Sequence, residues 1–172
     1  MCGEKGKRWY AGFRRMTNRL ILSARDEALL RLLDHTPATT TLILKASESF
    51  PGDAFHDERR VRERLQALAA ARFVRAFPAT HGVGGPINWY KITAEGYRVL
   101  HGAEAVLPHR SRFEPIAPSR IQHTWALAEV IVQIVVAAHR SRTAIAVFQG
   151  DGEAVLDTGR QKYRHFSLIP TA

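Results

Sequence analysis

Residues 57–92 have the sequence DERRVRERLQALAAARFVRAFPATHGVGGPINWYKI, which begins with a helical pattern and ends with two strand-like runs. In the first part, apolar side chains recur at the spacing of an α-helix. At about 100° per residue, Val61, Leu65 and Leu68 fall within one narrow sector. We therefore predict a helix over about residues 57–71 that turns these three side chains toward a core.

Two runs after this helix combine aromatic and β-branched side chains in the alternation that is typical of strands. They are residues 73–77 and residues 87–92. The glycines and the proline of residues 81–86 supply a turn between them. Thr93 then begins a short helix. This part of the chain predicts a β-hairpin followed by a helix.

Two further helices are expected before this segment. Ser23 and Asp26 have the spacing of a capping box, with Asp in place of the usual Glu, and leucines follow at helical spacing. Pro37 ends this first helix, and the threonines of residues 39–41 offer a cap for a short second one. The order helix, helix, helix, hairpin, helix is that of a winged helix-turn-helix. The predicted fold class is α+β.

The chain divides into four parts. Residues 1–22 form a basic arm, and residues 23–102 form the winged-helix domain. Residues 103–118 form a linker rich in proline and basic residues. Residues 119–172 contain a long helix, capped by Ser119, and then short strand-like runs that predict a small C-terminal sheet.

The long helix is apolar around most of its circumference and carries only one narrow polar stripe. Such a helix has to be covered on two sides. A homodimer through residues 119–140 is one interpretation, and an intramolecular core helix is the other. His123 projects into the apolar sector, which predicts a buried histidine bonded to backbone. The longest apolar stretch, residues 124–138, is shorter than the roughly 20 residues of a bilayer span, so no membrane segment is expected.

The charge of the chain points to a polyanionic partner. Lys and Arg number 25 against 16 acids, which gives a net charge of +9. Nucleic acid is the first expectation, and an anionic membrane surface is the second. The single cysteine, Cys2, excludes a disulfide framework and a cysteine-based zinc site. We expect a reducing, cytoplasmic location and no secretory signal.

A winged helix on double-stranded DNA would place its third helix in the major groove, where arginine can bridge guanine and glutamine can bridge adenine. Wing and arm residues would contact phosphate or the minor groove. Gln66 is equally well interpreted as an ordinary exposed polar residue, and the arm as a nonspecific tail. The candidate DNA-binding residues are Arg59, Arg60, Arg62, Arg64 and Gln66 on the helix, Arg75, His81 and Lys91 on the wing, and Arg14 and Arg15 on the arm.

Patterns typical of an enzyme are weak. The histidines form no i,i+4 ligand pair with a third partner. Glycines at residues 82–85 lie in a hairpin turn, without the helix that follows a phosphate-binding loop. Ser47 and Ser111 lack the local motif of a nucleophile. We therefore predict no catalytic residues, no metal, no cofactor and no enzymatic activity.

Several segments resemble the replication-relaxation family: residues 23–33, the threonine-led second helix, and residues 59–68, 73–74 and 90–96. Much of this pattern is shared by winged-helix repressors, such as those of the multiple-antibiotic-resistance type. The resemblance implies a winged-helix protein of plasmids and other mobile elements that acts in the control of DNA replication or relaxation.

The second half of the chain, an Ile-Gln-His step before a long apolar helix, also resembles this family. In the family, a later strand ends in a Pro-Asp-Ala-like step that is similar to nuclease folds. Residues 167–172 correspond to it, with Thr171 in place of the aspartate. A metal-dependent nuclease needs clustered carboxylates. The acids here have no recognisable motif spacing: Glu129, Asp151, Glu153 and Asp157. A degenerate nuclease domain and a truncated chain are the two interpretations.

The sequence as a whole favours a double-stranded DNA-binding protein that regulates transcription or replication of a plasmid, phage or mobile element. Two alternatives remain open at this point. One is a non-catalytic protein-interaction adaptor that uses a winged-helix fold, and the other is a degenerate nuclease subunit.

Overall fold

The computed structural model describes residues 20–80, 85–143, 145, 155–157 and 162–164. Within these ranges the chain forms five α-helices and two antiparallel sheets of two strands each. The predicted α+β class is confirmed.

The elements over the first two thirds of the chain follow the predicted order, with three helices, a hairpin and a fourth helix. They are α1 (Ala24–His35), α2 (Thr40–Ala46), α3 (Glu58–Ala70), β1 (Val74–Thr80), β2 (Pro86–Ile92) and α4 (Ala94–His101). The later elements are α5 (Ile121–Arg140), β3 (Val155–Asp157) and β4 (Lys162–Arg164). Short 3₁₀ turns occupy Ser47–Ser49, Arg110–Phe113 and Pro118–Arg120.

Side-chain caps set the starts of the first helices. The predicted capping box is present in α1, where Asp26 N–H donates to Ser23 Oγ at 3.3 Å and Ser23 N–H donates to Asp26 Oδ2 at 2.7 Å. Thr39 caps α2, and Asp57 caps α3 by accepting from the N–H of Arg60 at 2.8 Å. Each such cap stabilises a helix by about 1 kcal/mol.

The hairpin is longer than the sequence predicted. It pairs β1 with β2 from Val74 opposite Ile92 to Thr80 opposite Pro86. Strand β1 continues past the predicted run of residues 73–77 and includes Pro78, which has no N–H to donate. Proline is tolerated here because β1 is an edge strand. The other side of β2 is bonded to Ala38, whose N–H and C=O both pair with Tyr90.

One apolar core joins the three helices, the hairpin and α5. The predicted inward face of α3 is confirmed, since Val61, Leu65 and Leu68 are completely buried. Burial of one such side chain stabilises the fold by about 1.5–3 kcal/mol. Other members of this core are Leu29, Leu30, Ile43, Trp89, Ile92 and Val132.

Helix α5 packs against α2 and the adjacent Ser47–Ser49 turn. The rings of Trp125 and Trp89 pack in a T-shaped arrangement, with ring centroids 5.5 Å apart. Buried residues of α5 lie on this side, whereas Val130 is 48% exposed. Within the described residues, then, one side of α5 is covered by the core. The buried side chains of α5 are Ile121, Ala128, Ile131, Val132 and Val136.

Two details of α5 differ from the sequence analysis. Ser119 was predicted to cap the helix, but the residue at the cap position is Arg120, and it makes no side-chain cap bond. The reason is that Pro118 starts a 3₁₀ turn that contains Ser119 and leads directly into the helix. The prediction of a buried His123 was also wrong, because this residue is exposed.

The segment Pro118–Arg140 is the one helix in the described ranges that could cross a membrane by length and composition alone. Its most apolar 18-residue window has a mean hydropathy of 1.4. Core helices of soluble proteins have the same properties, and the inner side of α5 is part of the core. The absence of a membrane segment stays a prediction.

Candidate nucleic-acid interface

The outer side of α3 presents three arginines to solvent. The side chains of Arg59, Arg60 and Arg62 are 68%, 58% and 55% exposed. They lie away from the buried side of the helix because α3 turns Val61, Leu65 and Leu68 into the core. Gln66 is exposed on the same helix. These four predicted DNA-binding residues are therefore accessible to a partner.

Two glutamates accompany the three arginines. Arg60 lies 2.9 Å and Arg59 3.6 Å from the carboxylate of Glu63, while Arg62 lies 3.9 Å from Glu58. Exposed ion pairs of this kind contribute only about 0–1 kcal/mol. The arginines can exchange these partners for phosphate or a base edge at little energetic expense. Glu58 has other partners, since it accepts hydrogen bonds from Thr40 and Thr41 of α2.

Arg64 has a different environment from its neighbours on α3. Its guanidinium donates from Nε and Nη2 to the two carboxylate oxygens of Asp26, and both distances are 2.5 Å. Burial raises the pKa of Asp26, but hydrogen bonds from Arg64 and Ser23 outweigh it and hold the pKa below its ordinary value. The predicted DNA contact of Arg64 does not fit this placement, because the buried carboxylate requires the same guanidinium.

Lys91 is also turned into the protein, with only 9% of the residue exposed. Its ammonium group donates to the carbonyl oxygens of Glu114 at 2.6 Å and Ser111 at 3.4 Å. Burial, with the nearby Arg112, lowers the pKa of Lys91. The predicted phosphate contact of Lys91 is therefore not supported, because the segment after α4 folds back over this side of β2.

Arg75 remains an exposed wing residue. It lies on β1, with its guanidinium carbon 5.1 Å from the centroid of the Phe77 ring, a distance typical of a cation–π contact. His81, Arg14 and Arg15, the other predicted contacts, lie outside the described residues. Of the wing candidates in the described ranges, Arg75 is thus the accessible one.

A cleft that the sequence analysis missed lies between the first turn of α1 and α3. It has a volume of about 520 Å³, and its lining includes Arg25, Phe55, His56, Arg60 and Arg64. Arg25 and His56 belong to different elements, and no periodicity links them. In the sequence, the one signal near Arg25 is the capping box of Ser23 and Asp26, within which it lies.

The described ranges contain no group of three or more His, Cys, Asp or Glu side chains placed to hold a metal ion. Two of the four acids that have no nuclease spacing in the sequence, Asp151 and Glu153, lie outside the described residues.

The fold and this surface define an α+β protein with a three-helix and hairpin unit and an exposed arginine-bearing helix. The model of the replication-relaxation family matches residues 29–165, which is most of the chain. The chain therefore belongs to the replication-relaxation family, and the resemblance seen in the sequence is confirmed. No curated protein and no solved structure matches the chain.

Proposed function

We propose that this protein is a winged-helix protein that binds double-stranded DNA and controls replication or transcription of a plasmid, phage or mobile element. The observation that carries the proposal is the exposed outer side of α3, with Arg59, Arg60 and Arg62 held only by weak surface ion pairs. Membership of the replication-relaxation family supports a role in plasmid or mobile-element replication.

In this proposal α3 enters the major groove, as the third helix of a winged helix does. Arg59 and Arg60 contact base edges, and Arg62 and Gln66 assist them. Arg75 contacts the backbone from the hairpin. The net charge of +9 adds sequence-independent attraction to the duplex.

We propose that the protein acts in the cytoplasm by occupying its site, without a reaction of its own. The competing interpretation, a nuclease subunit, makes a clear prediction of its own. It requires nicking of supercoiled plasmid in the presence of magnesium or manganese. Nicked product that depends on the metal and on the protein would overturn the non-catalytic proposal.

A homodimer through residues 119–140 is a further part of the proposal. It is supported by the outward side of α5, where the apolar residues Ala126, Val130 and Ala137 are exposed beside Gln133. A two-fold dimer would also present two α3 helices to paired half-sites on DNA, which is how many helix-turn-helix proteins gain affinity.

The experiment that tests the proposed function is a fluorescence-anisotropy titration of a random-sequence duplex at several salt concentrations. Nonspecific duplex binding has a Kd of roughly 10⁻⁴–10⁻⁶ M at physiological salt, and the logarithm of the affinity falls linearly with the logarithm of salt. We expect a steep slope that corresponds to several phosphates. Absence of binding even at low salt would overturn the proposal and favour a protein-interaction adaptor.

A further inference from the structure

We propose that the cleft between α1 and α3 is a phosphate-binding subsite, built by Arg25 and His56, for a phosphodiester of the DNA backbone. This inference rests on the proposed function and adds to it a contact on the α1 side of α3. The cleft is lined by the first turn of α1, by the loop that precedes α3, and by α3 from Arg60 to Ala67.

Arg25 is held in a fixed orientation. Its guanidinium carbon lies 4.5 Å from the centroid of the Phe55 ring, and Nη1 donates to the carbonyl oxygen of Asp53 at 3.1 Å. Phe55 is itself anchored, because it is buried and its N–H donates to the hydroxyl of Ser47 at 3.0 Å. A guanidinium that is already ordered loses little entropy when it binds an oxyanion.

The charge of Arg25 is not neutralised in the same way as that of its neighbours. Arg64 is paired with Asp26 and Arg60 with Glu63, whereas Arg25 forms no ion pair with a carboxylate in the described part of the chain. The Nε–H of Arg25 is shielded from solvent and has no hydrogen-bond acceptor among the described residues. An anion in the cleft would supply the guanidinium of Arg25 with the counter-charge that the described carboxylates do not provide.

The position of the cleft favours a DNA phosphate over a free anion. Arg60 lines the cleft and also belongs to the exposed side of α3, so the two surfaces are continuous. A strand whose bases face α3 would therefore pass its backbone beside Arg25 and His56. The positive end of the α3 dipole lies at the same end of the helix and adds to the attraction. Glu63, the acid in the lining, lies within ion-pair distance of both Arg59 and Arg60, which offset its charge.

The first test compares Arg25→Gln with Arg31→Gln. Both variants remove one positive charge from α1, but Arg31 is exposed, lies outside the cleft and pairs with Glu27. We expect Arg25→Gln to reduce the slope of log affinity against log salt by about 0.9. Over a tenfold range of salt this equals about an eightfold loss of affinity at the low-salt end. Arg31→Gln should leave the slope at the wild-type value.

Arg25→Lys serves as the second variant, because it keeps the charge and should keep the slope. Melting curves of all three variants establish that each one folds. If Arg25→Gln folds and retains the wild-type slope, the subsite is overturned while the proposed function stands. If the wild-type chain fails to bind duplex at any salt concentration, the proposed function is overturned and the subsite with it.

The second test distinguishes DNA from a free anion by NMR of the arginine Nε–Hε resonances. We expect the Arg25 signal to shift on titration with duplex and to saturate together with the anisotropy signal. Inorganic phosphate, as the comparison ligand, should cause a smaller shift at the same phosphate concentration. A response to inorganic phosphate without a response to duplex would overturn the assignment to the DNA backbone.

Discussion

Asp26 and Arg64 are 38 residues apart in sequence and form a two-point ion pair between α1 and α3. Only 1% of Asp26 is exposed, and the same carboxylate closes the capping box with Ser23. One side chain therefore fixes the start of α1 and the position of α3 relative to it. Through α3, it also fixes the direction in which the exposed arginines project.

Removal of Arg64 should destabilise the fold. Arg64→Ala leaves the buried carboxylate of Asp26 without its charged partner, which typically lowers the free energy of unfolding by about 3–5 kcal/mol. Urea denaturation measures this change. Arg62→Ala is the control, because Arg62 is exposed and its loss should change stability by less than about 1 kcal/mol. An equal loss of the free energy of unfolding in the two variants would contradict the structural role of Arg64. So would an Arg64→Ala protein that is as stable as the wild type but has lost DNA affinity.

Stability should depend on pH through Asp26. Its pKa in the folded protein is lower than the ordinary value of 3.8, so ionised Asp26 stabilises the fold fully above about pH 3.8. This contribution is lost as the pH falls below that value and through the lower pKa of the folded state. Urea denaturation between pH 7 and pH 3 should show a larger loss of the free energy of unfolding in the wild type than in Asp26→Asn. Parallel curves for the two proteins would contradict this account.

Gly96 should not tolerate a methyl group. A Cβ at this position of α4 would lie 2.2 Å from the carbonyl oxygen of Phe73 and 2.8 Å from a side-chain carbon of Ile92. Alanine normally stabilises a helix relative to glycine, by about 1 kcal/mol. Here we expect Gly96→Ala to lower the free energy of unfolding by about 1–3 kcal/mol through overpacking. Gly85→Ala, with nothing within 4 Å, is the control. A stabilised Gly96→Ala would show that α4 can shift away from Phe73 and Ile92.

Local patterns were sufficient to predict the helices, the hairpin and the inward side of α3. The positions of Val61, Leu65 and Leu68 depend on helical periodicity, and the start of α1 depends on a capping box within a single turn. The length of β1 was underestimated, because an edge position that admits Pro78 depends on how the strands are ordered in space.

The candidate site was only partly predictable, for a similar reason. Arg62 and Arg64 both flank the outer side of α3. They differ because Arg64 pairs with Asp26, which is far away in sequence. Lys91 was expected on the outside of the hairpin, but residues after α4 cover that side of β2. Contacts between distant segments therefore decided which basic residues remain free for a partner.

The outer side of α3 should carry sequence-specific recognition. A double variant, Arg59→Ala with Arg60→Ala, should reduce specific DNA affinity by about 1–3 kcal/mol per lost base contact without unfolding the protein. The control is Arg31→Ala with Arg110→Ala, which removes two exposed charges from surface ion pairs elsewhere. Anisotropy titrations with a duplex that carries a selected binding site measure the affinities of the two double variants. If the two double variants lose the same affinity, the effect is one of net charge, and α3 is not the recognition helix.

The outward side of α5 should determine the oligomeric state. The chain has a mass of 19.3 kDa, and analytical ultracentrifugation of a homodimer through residues 119–140 would give twice that mass. Val130→Glu places a charge on the outward side of α5 and should convert the dimer to a monomer. The melting temperature should change little, because Val130 is already 48% exposed in the single chain. Gln66→Glu, which adds the same charge on α3, should leave the dimer intact.

A wild-type chain that sediments as a monomer at micromolar concentration would rule out the dimer. A Val130→Glu protein that remains dimeric would place the interface on another surface.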